Sequence, residues 1–248
     1  DSNPPFYRWF VGAETNLTYL CLDWQIEQER KNKIALIWEG EPFDEVLRMP
    51  RDVRKFTYYD LYRESNRIAY ALKEELRVKK GEILTFYLPM IPELPLYMLA
   101  VQRIGAKHSI VYSGFSALAL AERAIAAGSR IIVTADGLYR RGKIVELKEI
   151  VDEAIKICED RGHKIQKVIV VRRTDGEFMP WNENKDVWHH DFVRHISENV
   201  KVNVEKLSSE DFSYILYTSG TTGAPALSLF PPSLSPSPRL RRSPDTSR

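Results

Sequence analysis

Between residues 57 and 196 the apolar side chains recur at helical spacing, then at strand spacing, then at helical spacing again. Leu61, Ile68, Leu72 and Leu76 share one helical face behind Thr57-Tyr58-Tyr59-Asp60, whose Thr and Asp three residues apart fit a capping box. A strand-forming run follows at 83–88. Pro92 can open the next helix, where the first turn needs no N–H, and Gly105 can close it. Strands predicted at 108–112, 130–134 and 167–171 alternate with helices at 116–127 and 145–158, the first of these capped by Ser116 and stopped by Gly128. Residues 172–187 read as an irregular excursion, 187–196 as a short helix, and 212–217 as a buried strand. Repeated β-α units of this kind predict an α/β fold, a mainly parallel sheet flanked by helices.

The two ends depart from this pattern. Leu17, Leu20, Cys21 and Trp24 fall at i, i+3, i+4 and i+7 and predict a helix, 33–38 a strand, and the Pro- and charge-rich 41–54 a loop. Residues 227–248 hold six serines, five prolines and four arginines, which cannot offset the entropy of ordering them, so a disordered tail is expected. The reading is therefore an opening segment over 1–50, an α/β unit over 51–226 and a tail over 227–248.

Charge changes the picture only slightly. The formal net charge is +2, but Arg239, Arg241, Arg242 and Arg248 against Asp245 give the tail +3 and leave −1 for the rest. A nucleic-acid partner is therefore not expected. No apolar run reaches transmembrane length and Asp-Ser-Asn-Pro-Pro is no signal peptide, so no membrane partner is expected either. Cys21 and Cys158 form no Cys-x-x-Cys pair, and a reducing cytoplasm is the expected location.

Two stretches carry candidate chemistry. After the 212–217 strand come Thr218, Ser219, Gly220, Thr221, Thr222 and Gly223, all hydroxyl or glycine. The glycines let backbone N–H groups turn inward and the hydroxyls add donors, so an uncharged, donor-rich loop suits the oxygens of a polyphosphate. It is not the Walker loop, because Ala224-Pro225 follows rather than Lys-Ser or Lys-Thr. The second stretch is Thr134-Ala135-Asp136-Gly137-Leu138-Tyr139-Arg140-Arg141-Gly142-Lys143, with three cations placed just before an expected helix N-terminus. Free N–H groups and the helix dipole would reinforce an anion site there. His189, His190 and His195 lack the i, i+4 spacing of a two-His zinc face, so no metal site is expected.

The string Tyr-Thr-Ser-Gly-Thr-Thr-Gly after a strand resembles the phosphate-binding signature of the adenylate-forming superfamily, which includes acyl-CoA synthetases, luciferases and peptide-synthetase adenylation domains. Trp-Phe-Val-Gly, Cys-Leu-Asp, Arg103-Ile104-Gly105-Ala106, Gly114-Phe115-Ser116-Ala117 and Ala135-Asp136-Gly137 through Leu147-Lys148 extend the likeness to acetyl-CoA synthetases over residues 6–223. The resemblance implies the first part of that family's large N-terminal domain. It also implies Mg²⁺-ATP, coenzyme A and a short-chain carboxylate as small-molecule partners. Residues 218–223 would hold the ATP phosphates, and Gly114, Arg140, Arg141, Gly142 and Lys143 the nucleotide end of CoA. The family continues its signature with Pro-Lys-Gly, where this chain has Pro225-Ala226-Leu227. Its adenine, ribose and acyl-pocket motifs and its adenylating lysine lie further on, so the resemblance implies a truncated chain that does not complete catalysis alone. Two other readings stay open: a non-catalytic CoA- or nucleotide-binding module, and an unstable pseudogene product.

Overall fold

Runs of β-branched and aliphatic residues form the inner strands of the main sheet, and Thr57 and Ser116 cap two of the helices. The computed structural model describes residues 10–174, 179–218 and 226–230 of the chain. In order, it contains β1 (Glu14–Thr15), a π-type turn at Tyr19–Asp23 running into α1 (Trp24–Glu27), β2 (Ile34–Asp44) and β3 (Met49–Thr57). Next come α2 (Tyr58–Glu74), β4 (Ile83–Tyr87), α3 (Glu93–Arg103), β5 (Lys107–Ile110), α4 (Ala117–Ala127) and β6 (Ile131–Ala135). A small hairpin of β7 (Gly137–Arg140) and β8 (Lys143–Glu146) precedes α5 (Leu147–Asp160), β9 (Lys167–Val171), β10 (Asp186–Trp188) and α6 (His189–Arg194). The last elements are β11 (Leu207–Ser208), β12 (Tyr214–Thr218) and β13 (Ala226–Phe230).

The main sheet runs β10-β9-β6-β4-β5-β12-β13, with every neighbour parallel up to β12 and only β13 antiparallel. On the central strand Leu84, Thr85, Phe86 and Tyr87 are all fully buried, as a parallel strand covered on both faces requires. β4 connects through α3 to β5 on one side, whereas β5 and β6 connect through α4 and α5 toward the other. Right-handed crossovers in opposite directions put α3 on one face and α4 and α5 on the other. Packing agrees, since α2 lies against α3 and α4 against α5. Leu61, Ile68 and Leu72 of α2 sit in the core as their spacing predicts, each worth about 1.5–3 kcal/mol relative to exposure.

Three helix ends fall where the sequence predicts them. Thr57 Oγ1 accepts from the Asp60 N–H at 3.1 Å and the Asp60 carboxylate accepts from the Thr57 N–H at 2.9 Å, which is the predicted capping box. Ser116 caps α4, and Gly128 ends it in the left-handed region at φ 61°.

Four expectations are corrected. Residues 41–54 are not a loop but most of the β2–β3 hairpin, with Glu39 opposite Val53 and a register shift between Gly40 and Phe43. The hairpin crosses the expected boundary at residue 50. The helix expected around 17–24 is mainly a π-type turn, with only four residues of α-helix after it. The helix at 145–158 starts at Leu147, because 143–146 pair back on 137–140. Finally, 227–230 of the expected tail pair along β12 instead of standing apart, with Tyr217 opposite Leu227. The remainder of the expected tail, 231–248, lies outside the described residues.

Candidate functional site

Strands β4, β5, β6 and β9 all point the same way, so the loops leaving their carboxyl ends gather at one edge of the sheet. β4 sends its chain to one face while its neighbours β5 and β6 send theirs to the other, and this divergence opens a crevice. A cleft of about 260 Å³ lies there. Its walls come from 89–91 after β4, 112–114 after β5, Leu138–Arg140 after β6 and Arg173 after β9, with Trp38–Glu41 of β2 as the outer wall.

Buried polar groups hold these loops. The Asp136 carboxylate, fully buried, accepts from the Gly137 N–H at 2.7 Å, the Arg173 N–H at 2.8 Å and the Thr174 N–H at 3.0 Å. Its own carbonyl accepts from Leu147 and Lys148 at 3.0 and 3.2 Å, closing the first turn of α5. One residue therefore ties together the β6 and β9 loops and the helix behind them. On the β5 side the Tyr87 hydroxyl donates toward the carbonyls of Ser113 and Phe115, at 3.1 and 2.6 Å, with burial pushing its phenol up to about 12. The Thr134 hydroxyl donates to the Tyr87 carbonyl at 2.9 Å. Trp38 Nε1 donates to the Met90 carbonyl at 2.6 Å and joins the outer wall to the β4 loop.

Of the expected CoA-binding residues, Gly114 and Arg140 meet in this cleft although 26 positions apart in the numbering. A Cβ added to Gly114 would come within 2.4 Å of the Tyr112 ring, so a side chain there would displace that ring. Arg141, Gly142 and Lys143 form the tip of the β7–β8 hairpin beside the cleft rather than its lining. Arg141 at φ 52° and Gly142 at φ 75° make a two-residue loop of the primed type that suits strand twist. The hairpin separates the cations from the start of α5, whose first amides are already occupied by Asp136. The three cations thus sit on a hairpin tip, not before a free helix N-terminus. Arg140 and Lys143 are ladder partners, so their side chains leave the same face, and among the described residues neither forms an ion pair.

The stretch expected to hold the ATP phosphates begins at Thr218, where β12 ends beside β5, at the same edge of the sheet. Ser219, Gly220, Thr221, Thr222 and Gly223 lie outside the described residues. Among the described residues no three His, Cys, Asp or Glu side chains group as a metal site. His189 instead bonds the Tyr97 hydroxyl at 2.9 Å, and His195 meets Glu75 at 2.7 Å. No helix of the described residues is long and apolar enough to cross a membrane.

Three important residues were not assigned a role from sequence. Asp136 stood out only as part of a string, and its position between a buried strand and a glycine was the available signal. Trp38 and Arg173 carried none, because their contact depends on a hairpin read as a loop.

Residues 22–227 match the AMP-binding enzyme family. The acetyl-coenzyme A synthetase of Pyrobaculum aerophilum is 53% identical over 224 residues, covering 90% of this chain and 33% of that protein. Those of Methanothrix thermoacetophila and Rhodopirellula baltica are 44% and 42% identical over 90% and 91% of this chain, and 32% of each relative is covered. The chain spans about a third of the length of the curated relatives it matches. It belongs to the AMP-binding enzyme family.

Proposed function

We propose that this chain carries the CoA-binding corner, and the first phosphate-binding loop, of an acetate–CoA ligase of the AMP-forming type. One observation carries the reading: residues from four separate strand ends, Gly114 and Arg140 among them, converge on one cleft beside a basic hairpin tip whose cations form no ion pair among the described residues. In the reaction, a carboxylate oxygen of a short acid attacks the α-phosphorus of Mg²⁺-ATP, and the bond to the β-phosphate breaks to release pyrophosphate. The CoA thiolate then attacks the acyl carbon, and AMP leaves. This chain's part is placement and charge. Arg140 and Lys143 attract the phosphates of CoA, the absence of a Cβ at Gly114 leaves room for the Tyr112 ring in the wall of the cleft, and 218–223 donate to the ATP phosphates. Mg²⁺ comes with ATP as substrate.

The 248 residues alone bind but do not turn over, because the family's acid- and adenine-recognising motifs follow the point where the match stops. Calorimetry of the chain with CoA should give a binding heat that Arg140→Ala abolishes or weakens, while acetate-dependent ATP–pyrophosphate exchange stays at background. No heat with CoA would remove the binding assignment, and measurable exchange would remove the inactivity. A binding module without catalysis is the second reading, favoured by a cleft whose described lining comes from residues before 174.

A further inference from the structure

We propose that Arg173 is the positioning residue of this cleft, setting the distance between the β2–β3 and β7–β8 hairpins and thereby aiming Arg140 at a nucleotide polyphosphate such as CoA. The inference rests on the CoA reading above and adds a residue to it.

Arg173 leaves the end of β9 with a side chain only 12% exposed. Its main-chain N–H is fixed by Asp136. Its guanidinium then reaches three strands of two hairpins at once. The Cζ atom lies 5.0 Å from the Trp38 ring of β2 and 5.1 Å from the Tyr139 ring of β7. Nη1 is 3.3 Å from the Asp52 carboxylate of β3, and Nη2 donates to the Glu41 carbonyl. Gly40 makes this approach possible, since a Cβ there would stand 2.8 Å from Nη2 and 2.3 Å from the Trp38 ring. Tyr139 directly precedes Arg140, so holding the Tyr139 ring holds the strand that presents the phosphate-facing cation.

The chemistry requires arginine. A planar, delocalised cation can stack on rings and bond a carboxylate in its plane, whereas a lysine ammonium is a compact point charge. The guanidinium is already engaged by Asp52, the Glu41 carbonyl and two rings, so it is spent on holding the walls. Arg140 remains the cation offered to a ligand.

The test is calorimetry on the 248-residue chain with CoA and with 3′-dephospho-CoA at several salt concentrations. Arg173→Lys should weaken both ligands equally, on the order of tenfold for the loss of stacking. The salt dependence should stay as in the unaltered chain, because no phosphate contact is removed. Gly40→Ala, which keeps the arginine but crowds it, should give a similar loss, and Arg140→Ala should flatten the salt dependence. Unaltered CoA affinity in Arg173→Lys overturns the proposal. So does a loss confined to CoA over its dephospho form, or a flattened salt dependence, since either makes Arg173 a direct phosphate ligand. If Arg173→Lys fails to fold, unaltered affinity in Gly40→Ala overturns it instead. Absence of heat from the unaltered chain overturns the CoA reading itself, and is distinct from all these results.

Discussion

Replacing Asp136 by alanine should damage the fold more than removing any surface charge, and the cost can be worked from its bonds. The carboxylate serves three main-chain donors, the buried Gly137 and Thr174 and the partly buried Arg173, at 2.7–3.0 Å. A buried donor left without a partner costs about 1–3 kcal/mol, more when the lost acceptor was charged. Allowing for relaxation and some entry of water, Asp136→Ala should lose about 3–6 kcal/mol, a large share of ordinary domain stability. Asparagine is a finer probe. With its carbonyl placed at the Oδ1 position it still accepts from Gly137 and Arg173 and keeps the 3.1 Å bond from Thr174, but its amide replaces the second acceptor of the Thr174 N–H, so about 1 kcal/mol should go. Urea unfolding followed by fluorescence and circular dichroism gives both values. Hydrogen exchange should show the amides of 137, 173 and 174 losing protection first. If Asp136→Ala unfolds at the same urea concentration as the unaltered chain, the carboxylate is not holding these loops and the account of the cleft is wrong.

Two further outcomes follow from buried groups away from the cleft. Lys148, fully buried, meets Asp152 at 2.6 Å and the buried Asp186 at 2.8 Å. Lys148→Met should cost about 3–5 kcal/mol by stranding Asp186, while Lys148→Met with Asp186→Leu should recover most of that in the same urea assay; equal losses in both would contradict a stranded charge. Burial lowers the His108 imidazole from 6.5 to about 4, so it stays neutral in the fold while the unfolded chain takes up its proton near 6.5. Its contribution is whole above 6.5 and is lost as pH falls toward 4, with a slope of up to about 1.4 kcal/mol per pH unit. His108→Phe, which keeps a ring against Phe86 and Tyr214, should reduce the difference in unfolding free energy between pH 7 and pH 5; an unchanged difference would place the proton uptake elsewhere.

What could be read from sequence was local. Thr57, Ser116 and Gly128 announce helix ends because their side chains, or lack of one, act within three or four residues. The buried strands show as unbroken apolar runs. The β2–β3 hairpin was hidden because it lies outside the main sheet, where half-exposed strands keep Arg51, Arg54, Pro42 and Pro50, and prolines and charges read as loop. The basic run at 140–143 was noticed, but its two-residue turn was not, since Arg141 is an unusual choice for a left-handed position. Gly114 and Arg140 were placed together only through likeness to a family. The bonds that join their loops, from Tyr87 and Asp136, span distances in sequence that no periodicity reports.

The pairing of Arg140 with Lys143 has a consequence for the empty and filled states of the hairpin. Two like charges directly across an antiparallel ladder push the strand ends apart, and here no acid of the described residues offsets them. A multivalent anion bridging the pair would turn that repulsion into attraction, so the hairpin should tighten as it captures its guest. Sulfate or pyrophosphate should therefore stiffen this corner even before any cognate molecule arrives.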